Sequence, residues 1–259
     1  MYENPKQVRE LIRRGKLSRP TCGLAPGYAQ ANLVILPKKY AFDFFLFCQR
    51  NPKPCPVLEV LESGRYEPTL IAPGADIRVD VPQYRIYKNG ELVSEVSDIT
   101  DYWGENFISF LLGCSFTFET ALMRAGIELR HIKENKNVAM YTTSIQTVSA
   151  GIFAGPLVVS MRPIPEEEVV RAVQITSRFP SVHGAPIHIG NPKKIGISNL
   201  SKPDYGAPVL VKVNEIPVFW ACGVTPQALA LQSRPSLMIT HAPGYMFITD
   251  ILDEELAVL

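Results

Sequence analysis

The chain has 259 residues, 46% hydrophobic and 20% charged, which is enough apolar material for a sizeable core in one large or two smaller domains. A formal net charge of +1, without clustered Lys and Arg, argues against a nucleic-acid-binding surface. No apolar run approaches the ~20 residues of a membrane span, and no signal-peptide pattern is visible. The five cysteines form no C-x-x-C motif, so we expect reduced thiols in a cytoplasmic protein.

The first hundred residues predict helices followed by antiparallel strands. Asn4 can cap a helix that Pro5 opens and Gly15 ends. Alternation of apolar and charged residues over 77–81 is typical of a half-buried strand, and Asn89-Gly90 between two short apolar segments indicates a β-hairpin. The remaining elements predicted here are a strand over 33–36 and an aromatic-rich helix over 38–49.

The rest of the chain interleaves helices and strands. From Asn106 to Gly126 the pattern predicts helix, broken at 113–115, and proline and acidic residues at 165–168 open another helix. A further helix is predicted to start at Thr225. Strands are predicted over 129–132, 138–142, 157–161, 209–213, 217–221, 237–240 and 246–251. This order favours a mixed α/β or α+β fold.

Two segments look like strand–turn–helix junctions, one around Gly113-Cys114-Ser115 and one around Cys222-Gly223. The N–H groups at a helix start suit a carboxylate or a developing oxyanion. The same positive end would lower the pKa of a nearby thiol, so Cys114 and Cys222 are candidate nucleophiles. The alternative is that Ser115 and Thr225 are ordinary helix caps and the cysteines fill space.

Three histidines and three other polar side chains lie in loops or at the ends of predicted strands and helices. A histidine there is well placed for general acid or base work, or else serves as a turn residue, and His183, His188 and His241 fit this description. Arg162 and Arg178 could hold a substrate carboxylate or form surface salt bridges. Asp204 is a turn residue or an acid. No pair has a standard metal-ligand spacing.

Eight segments together resemble the D-glutamate cyclase family of hydro-lyases. They follow one another in the family's order over nearly the whole chain: Cys22–Asn32, Ile35–Pro37, Gly113–Phe116, Ser160–Pro163, Phe179–Pro186, Ser201–Asp204, Val218–Pro226 and Thr240–Gly244. The resemblance implies an α/β with α+β architecture, in which a mixed-sheet main domain (1–108 and 180–259) carries a smaller two-layer α+β domain (109–179) in the middle of the chain. It also implies an enzyme of amino-acid metabolism that closes D-glutamate to 5-oxo-D-proline with loss of water.

This reaction needs a base, an acid, an oxyanion-stabilising group and a carboxylate anchor. We expect His183 or His188 as base and acid, the amides around Cys114 and Ser115 as oxyanion donors, and Arg162 as anchor. An acyl route through Cys114 or Ser115 is the covalent alternative. The remaining candidates are Cys222 and His241 for catalysis, and Gly113, Arg178, Asp204 and Tyr28 for substrate binding.

No cofactor or metal is predicted, and the expected partner is a small carboxylate rather than nucleic acid or a membrane. Whether the chain assembles into a homo-oligomer stays open. Two other functions also stay open. One is a hydro-lyase acting on another small carboxylic acid, and the other is a non-catalytic protein that binds an amino acid or oxo-acid.

Overall fold

The fold is known from a computed structural model, which describes residues 4–258. Its helices are α1 (Pro5–Arg13), α2 (Lys38–Arg50), α3 (Phe116–Arg124), α4 (Arg130–Lys133), α5 (Val169–Ser177) and α6 (Thr225–Ser233). Its strands are β1 (Tyr28–Pro37), β2 (Val57–Leu61), β3 (Tyr84–Lys88), β4 (Glu91–Val96), β5 (Phe107–Gly113), β6 (Ala139–Gln146), β7 (Pro156–Pro165), β8 (His188–Ile189), β9 (Glu215–Ala221), β10 (Met238–His241) and β11 (Phe247–Leu252). Within this part of the chain, no helix has the length and apolar content needed to cross a membrane.

The strands form two sheets. The first has the order β2-β5-β1-β10-β3-β4, with β11 also paired to β1, and the second has the order β6-β7-β9-β8. Every strand pairing among the described residues is antiparallel, so the mixed sheet expected for the main domain is not what forms. The broader expectation, a fold that combines helices with β-sheet, is confirmed.

Each sheet is covered by helices and loops. Helix α2 and part of α6 pack on one face of the first sheet, through Phe44, Phe47 and Leu229. Helices α3 and α5 pack on the second sheet around Trp220. A further buried cluster joins the ends of β5 and β9, where Cys114, Cys222 and their apolar neighbours meet. The core therefore continues from one sheet to the other.

Several predicted elements form as expected. Asn4 caps α1 by accepting hydrogen bonds from the Lys6 and Gln7 amides, Pro5 is the first helical residue, and β3 and β4 form the hairpin around Asn89-Gly90. The predicted α2 and α6 are also present.

Four predicted elements are wrong. Residues 107–113 form strand β5 instead of helix, and 130–133 form one turn of helix instead of a strand. Residues 77–81 form turns, because Asp76 and Asp80 side chains accept hydrogen bonds from the backbone of this same segment. No strand is found over 209–213.

The predicted domain boundaries do not match the way in which the strands are divided between the two sheets. Residues 107–113 belong to the first sheet, and β8 and β9 belong to the second sheet although they follow residue 179. Division of the chain into a main and a smaller domain stays a prediction.

Candidate active site

The two strand–turn–helix junctions meet at one small cavity. Strand β5 of the first sheet leads into α3 through Cys114 and Ser115, and β9 of the second sheet leads into α6 through Cys222 and Gly223. All four residues line the same cavity, whose volume of about 10 Å³ has room for about one water molecule. The fold therefore brings together two segments that are more than a hundred residues apart in sequence.

Two glycines permit this close approach. A Cβ atom on Gly113 would lie 2.0 Å from the Ser181 carbonyl oxygen, so only glycine lets the end of β5 pack against the 180–182 turn. A Cβ atom on Gly223 would lie 2.0 Å from Nδ2 of Asn32, a buried residue of β1. The 180–182 turn, β1 and both junctions thus form one closely packed unit.

The cysteines at the junctions are buried thiols. Burial raises the pKa of Cys222 to about 11, although the Val224 amide and Arg162 oppose this effect. Burial also raises the pKa of Cys114 well above its ordinary value, even though the Phe116 amide lies 3.5 Å from its sulfur. The expected lowering of these pKa values at the helix starts is therefore wrong, because burial outweighs the helix end. Both thiols carry their proton at neutral pH.

Arg162 occupies the centre of the region and is only 1% exposed. Its Nε lies 2.9 Å from Oε1 of Glu119, and its Nη2 also donates to that oxygen. Two hydroxyls complete its contacts, since Nη2 lies 3.0 Å from Ser115 Oγ and Nη1 lies 3.0 Å from Ser160 Oγ. The Ser115 side chain thus contacts Arg162 and forms no helix-cap hydrogen bond. An internal carboxylate already neutralises the guanidinium.

Glu119 joins Arg162 to two further residues, Cys22 and His131. Burial alone would raise the pKa of Glu119, but His131 and Arg162 together lower it below its ordinary value. Nε2 of His131 lies 3.0 Å from Glu119 Oε1, and the Cys22 sulfur lies 3.9 Å from Glu119 Oε2. The sequence alone predicted no role for Glu119 or His131. A signal that could have identified Glu119 is its position as an acidic residue among the apolar residues that α3 buries.

His183 follows the 180–182 turn and is buried, with a left-handed backbone (φ 85°). Its Nδ1 lies 2.6 Å from the Lys53 carbonyl oxygen, which can only accept a hydrogen bond. Nδ1 therefore carries the proton of the neutral ring, and Nε2 presents a lone pair that has no hydrogen-bond partner. Burial lowers the pKa of His183 to about 4, with Arg162 adding to the effect and the Lys53 and Gly113 backbones opposing it. At neutral pH His183 is a neutral base.

His241 lies at the end of β10 and is also buried. Its Nδ1 lies 2.7 Å from the Ala242 carbonyl oxygen and its Nε2 lies 3.0 Å from Oδ1 of Asn32. Asn32 in turn donates to the Gly113 carbonyl at 2.7 Å and lines the cavity. His241 therefore reaches the site only through Asn32.

Four predicted site residues lie outside this region or at its edge. His188 bonds to the Asn191 carbonyl, and Asp204 accepts the Thr142 amide at a separate surface pocket. Arg178 contacts the Val258 carbonyl at another pocket. Tyr28 lines a small cavity beside Glu119. The structure thus brings together Gly113, Cys114, Ser115, Arg162, His183, Cys222 and, through Asn32, His241.

A larger pocket opens next to Cys22. Its volume is about 350 Å³, within the range of small-molecule sites, and Arg19, Lys136 and Asn137 contribute to its lining. Two cationic side chains make it suitable for an anionic molecule.

A family model and individual sequence relatives both match this chain. The family model described as D-glutamate cyclase matches residues 108–250. A protein of Geobacillus kaustophilus is 64% identical over 254 residues (98% of this chain and 97% of the relative), and one of Bacillus subtilis is 63% identical over 255 residues (98% and 99%). Both carry the name "Putative hydro-lyase".

Among solved structures, a nitrogen repressor-like protein of Methanococcus jannaschii aligns over 95% of this chain and 98% of its own, with a TM-score of 0.39 and 10% identity. A likeness at that level identifies no common fold. The sequence relatives decide the family, and their names agree with the expected enzyme class, a lyase of the hydro-lyase type. The chain belongs to the D-glutamate cyclase family.

Proposed function

We propose that the protein closes D-glutamate to 5-oxo-D-proline with release of water. Membership of the D-glutamate cyclase family and the names of its relatives support a hydro-lyase acting on a small carboxylic acid. One observation supports placing this reaction at the two junctions. The neutral His183, whose Nε2 has no hydrogen-bond partner, directly follows the 180–182 turn, which packs against Gly113 at the end of β5.

His183 would act as the base and then as the acid. The ammonium group of glutamate gives a proton to Nε2, the free amine attacks the side-chain carboxyl carbon, and a tetrahedral intermediate forms. One carbon–oxygen bond then breaks. The two protons lost by nitrogen leave with that oxygen as water, so His183 returns to its neutral form and nothing else is consumed.

The helix starts would stabilise the oxyanion of this intermediate. Ser115 and Gly223 line the cavity, and the main-chain N–H groups of these two residues donate no backbone hydrogen bond within residues 4–258. Amide donors placed where negative charge develops are worth roughly 3 kcal/mol each in the transition state. Because Cys114 is protonated at neutral pH, direct attack by the amine needs fewer steps than an acyl route through that thiol.

Arg162 is retained as the carboxylate anchor in this proposal. A substrate carboxylate would replace the Ser115 hydroxyl on Nη2, since a charge-assisted hydrogen bond is stronger than a neutral one. A cavity of about 10 Å³ does not hold glutamate. The proposal therefore requires the two junctions to move apart when substrate binds.

The test is to incubate the purified protein with D-glutamate and to detect 5-oxoproline by mass. We expect His183→Asn to lower kcat by roughly 10²- to 10⁴-fold, the usual contribution of a general acid–base group. Asparagine is chosen because it tolerates a left-handed backbone. The matched control is His188→Asn, which removes a histidine outside the site and should leave kcat unchanged.

Other outcomes separate the alternatives. Full turnover by a folded His183→Asn variant would remove His183 from the mechanism. Turnover of L-glutamate, a homologue or a hydroxy acid in place of D-glutamate would assign another hydro-lyase substrate. Tight binding of D-glutamate without turnover would indicate a binding protein.

A further inference from the structure

Three side chains of different types converge beside the proposed active site. Cys22 lies in the loop before β1, Glu119 in α3 and His131 in α4, and one donor atom from each lies within 4.8 Å of the others. We propose that Cys22, Glu119 and His131 bind a thiophilic divalent transition-metal ion of the Zn²⁺ class. The proposal does not rest on the cyclisation reaction, because binding can be measured without turnover.

His131 gives the first argument. It is 1% exposed, and its Nε2 lies 3.0 Å from Glu119 Oε1 at an angle that does not form a regular hydrogen bond. A buried polar atom without a well-formed hydrogen bond is costly and uncommon. A metal ion between the imidazole, the carboxylate and the thiol would satisfy that atom.

The ligand types give the second argument. One thiolate, one imidazole and one carboxylate are all common zinc ligands, and catalytic zinc sites use three protein ligands with one position open. Arg162 contacts Oε1 of Glu119 and leaves Oε2 facing Cys22, 3.9 Å from the sulfur. Outer contacts that hold a ligating carboxylate in place are usual around metals. Arg162 would have this supporting role.

The open position would face a small molecule. Cys22 also lines the 350 Å³ pocket that contains Arg19 and Lys136. The charges of the divalent ion, the Cys22 thiolate and the Glu119 carboxylate cancel. The neighbouring Arg162 therefore leaves the site with a net positive charge. Water or an anion entering from this pocket would complete the coordination.

Binding would release the proton of Cys22. A cysteine ligates zinc as its thiolate, so the metal has to displace the thiol proton. Metal affinity should therefore increase with pH.

The experiment uses the full chain, stripped with a chelator and titrated with Zn²⁺, and with Co²⁺ as a spectroscopic probe. We expect stoichiometric binding, a thiolate-to-cobalt charge-transfer band, and zinc X-ray absorption with one sulfur at about 2.3 Å and N/O ligands at about 2.0–2.1 Å. Cys22→Ser should raise the dissociation constant by more than roughly 100-fold, beyond the loss caused by a supporting residue alone. The charge-transfer band should vanish in the same variant.

Cys114→Ser is the matched control, because it removes another buried thiol of the same region. It should retain the metal and the band. His131→Asn provides a second ligand variant that leaves the Arg162–Glu119 pair in place. Absence of stoichiometric binding, a zinc shell without sulfur, or equal affinity in wild type and folded Cys22→Ser would overturn the proposal.

Discussion

Arg162 has a more constrained environment than its position in the sequence indicates. It follows the apolar residues of β7 and precedes a proline, which favoured a free guanidinium for substrate. In the structure it is buried against the rings of Phe118 and Trp220 and paired with Glu119, 43 positions away. Local sequence cannot reveal a partner at that distance. The residue type and the strand were predictable, but its neighbours were not.

The proposed ligands Cys22, Glu119 and His131 also meet only through the fold and share no local sequence pattern. Their separations, 97 and 12 positions, match no local metal motif, so the sequence predicted no metal. His183 differs, because the Gly/Pro-rich loop around it already marked an irregular backbone. Residues in such loops were easier to single out than residues that meet through packing.

The neutral state of His183 predicts a specific pH dependence of stability. Its pKa falls from an ordinary value of 6.5 to about 4 in the folded protein, so the unfolded chain binds more protons between these values. Stability is therefore fully present above about pH 6.5 and declines as the pH falls toward 4. For this residue alone, the free energy of unfolding should fall by about 2 kcal/mol between pH 7 and pH 5.

Urea denaturation at the two pH values measures this contribution. The His183→Asn variant should lose about 2 kcal/mol less than wild type on acidification. His188→Asn should show the wild-type decrease, since His188 is not buried. Equal pH dependence in wild type and His183→Asn would mean that folding does not lower the pKa of His183.

At the element scale, the prediction of helices and strands failed where the local sequence pattern fits both. Strand β5 lies between β2 and β1, and most of its residues are buried, so it shows a continuous apolar run instead of alternation. Such a run cannot be distinguished from a buried helix by periodicity. Helix α6 and the β3–β4 hairpin were predicted because Pro226 and Asn89-Gly90 are strong local signals.

Gly113 couples β5 to the 180–182 turn, and Gly113→Ala should break this contact. The added methyl group would lie 2.0 Å from the Ser181 oxygen and 2.8 Å from Val182, so the turn that carries His183 has to shift. We expect a loss of roughly 1–3 kcal/mol in the free energy of unfolding, typical of overpacking, together with a lower kcat. Stability is read from urea denaturation and activity from 5-oxoproline formation.

Gly104→Ala is the matched control for that substitution. A methyl group there meets the Phe107 ring at 3.6 Å, an ordinary contact, and Gly104 is not among the glycines with positive φ. Its stability and activity should remain close to wild type. Wild-type behaviour of Gly113→Ala would mean that the position of the turn does not matter for the site.

At the scale of the whole molecule, the two sheets are joined by shared packing. Ala150 and Phe153 come from the loop between β6 and β7 of the second sheet. They lie in the same buried cluster as Phe44 of α2 and Phe110 of β5, which belong to the first sheet and its covering helix. The side chain of Asn51, just after α2, bonds to both the N–H and the carbonyl of Val148. The sequence identified most of the strands but not which sheet each joins, because pairing between distant strands leaves no local pattern.

This shared core predicts a single cooperative unfolding transition. The chain has two tryptophans, and they report on different sheets, since Trp103 packs against Phe107 of β5 and Trp220 lies in β9. In Trp103→Phe and in Trp220→Phe, the fluorescence of the remaining tryptophan should follow the same denaturation curve as far-UV circular dichroism. Comparing the two probes within one variant cancels the stability change that each substitution causes. If fluorescence of either variant changes at a different urea concentration from the dichroism, the sheets unfold separately and the division into two domains is favoured.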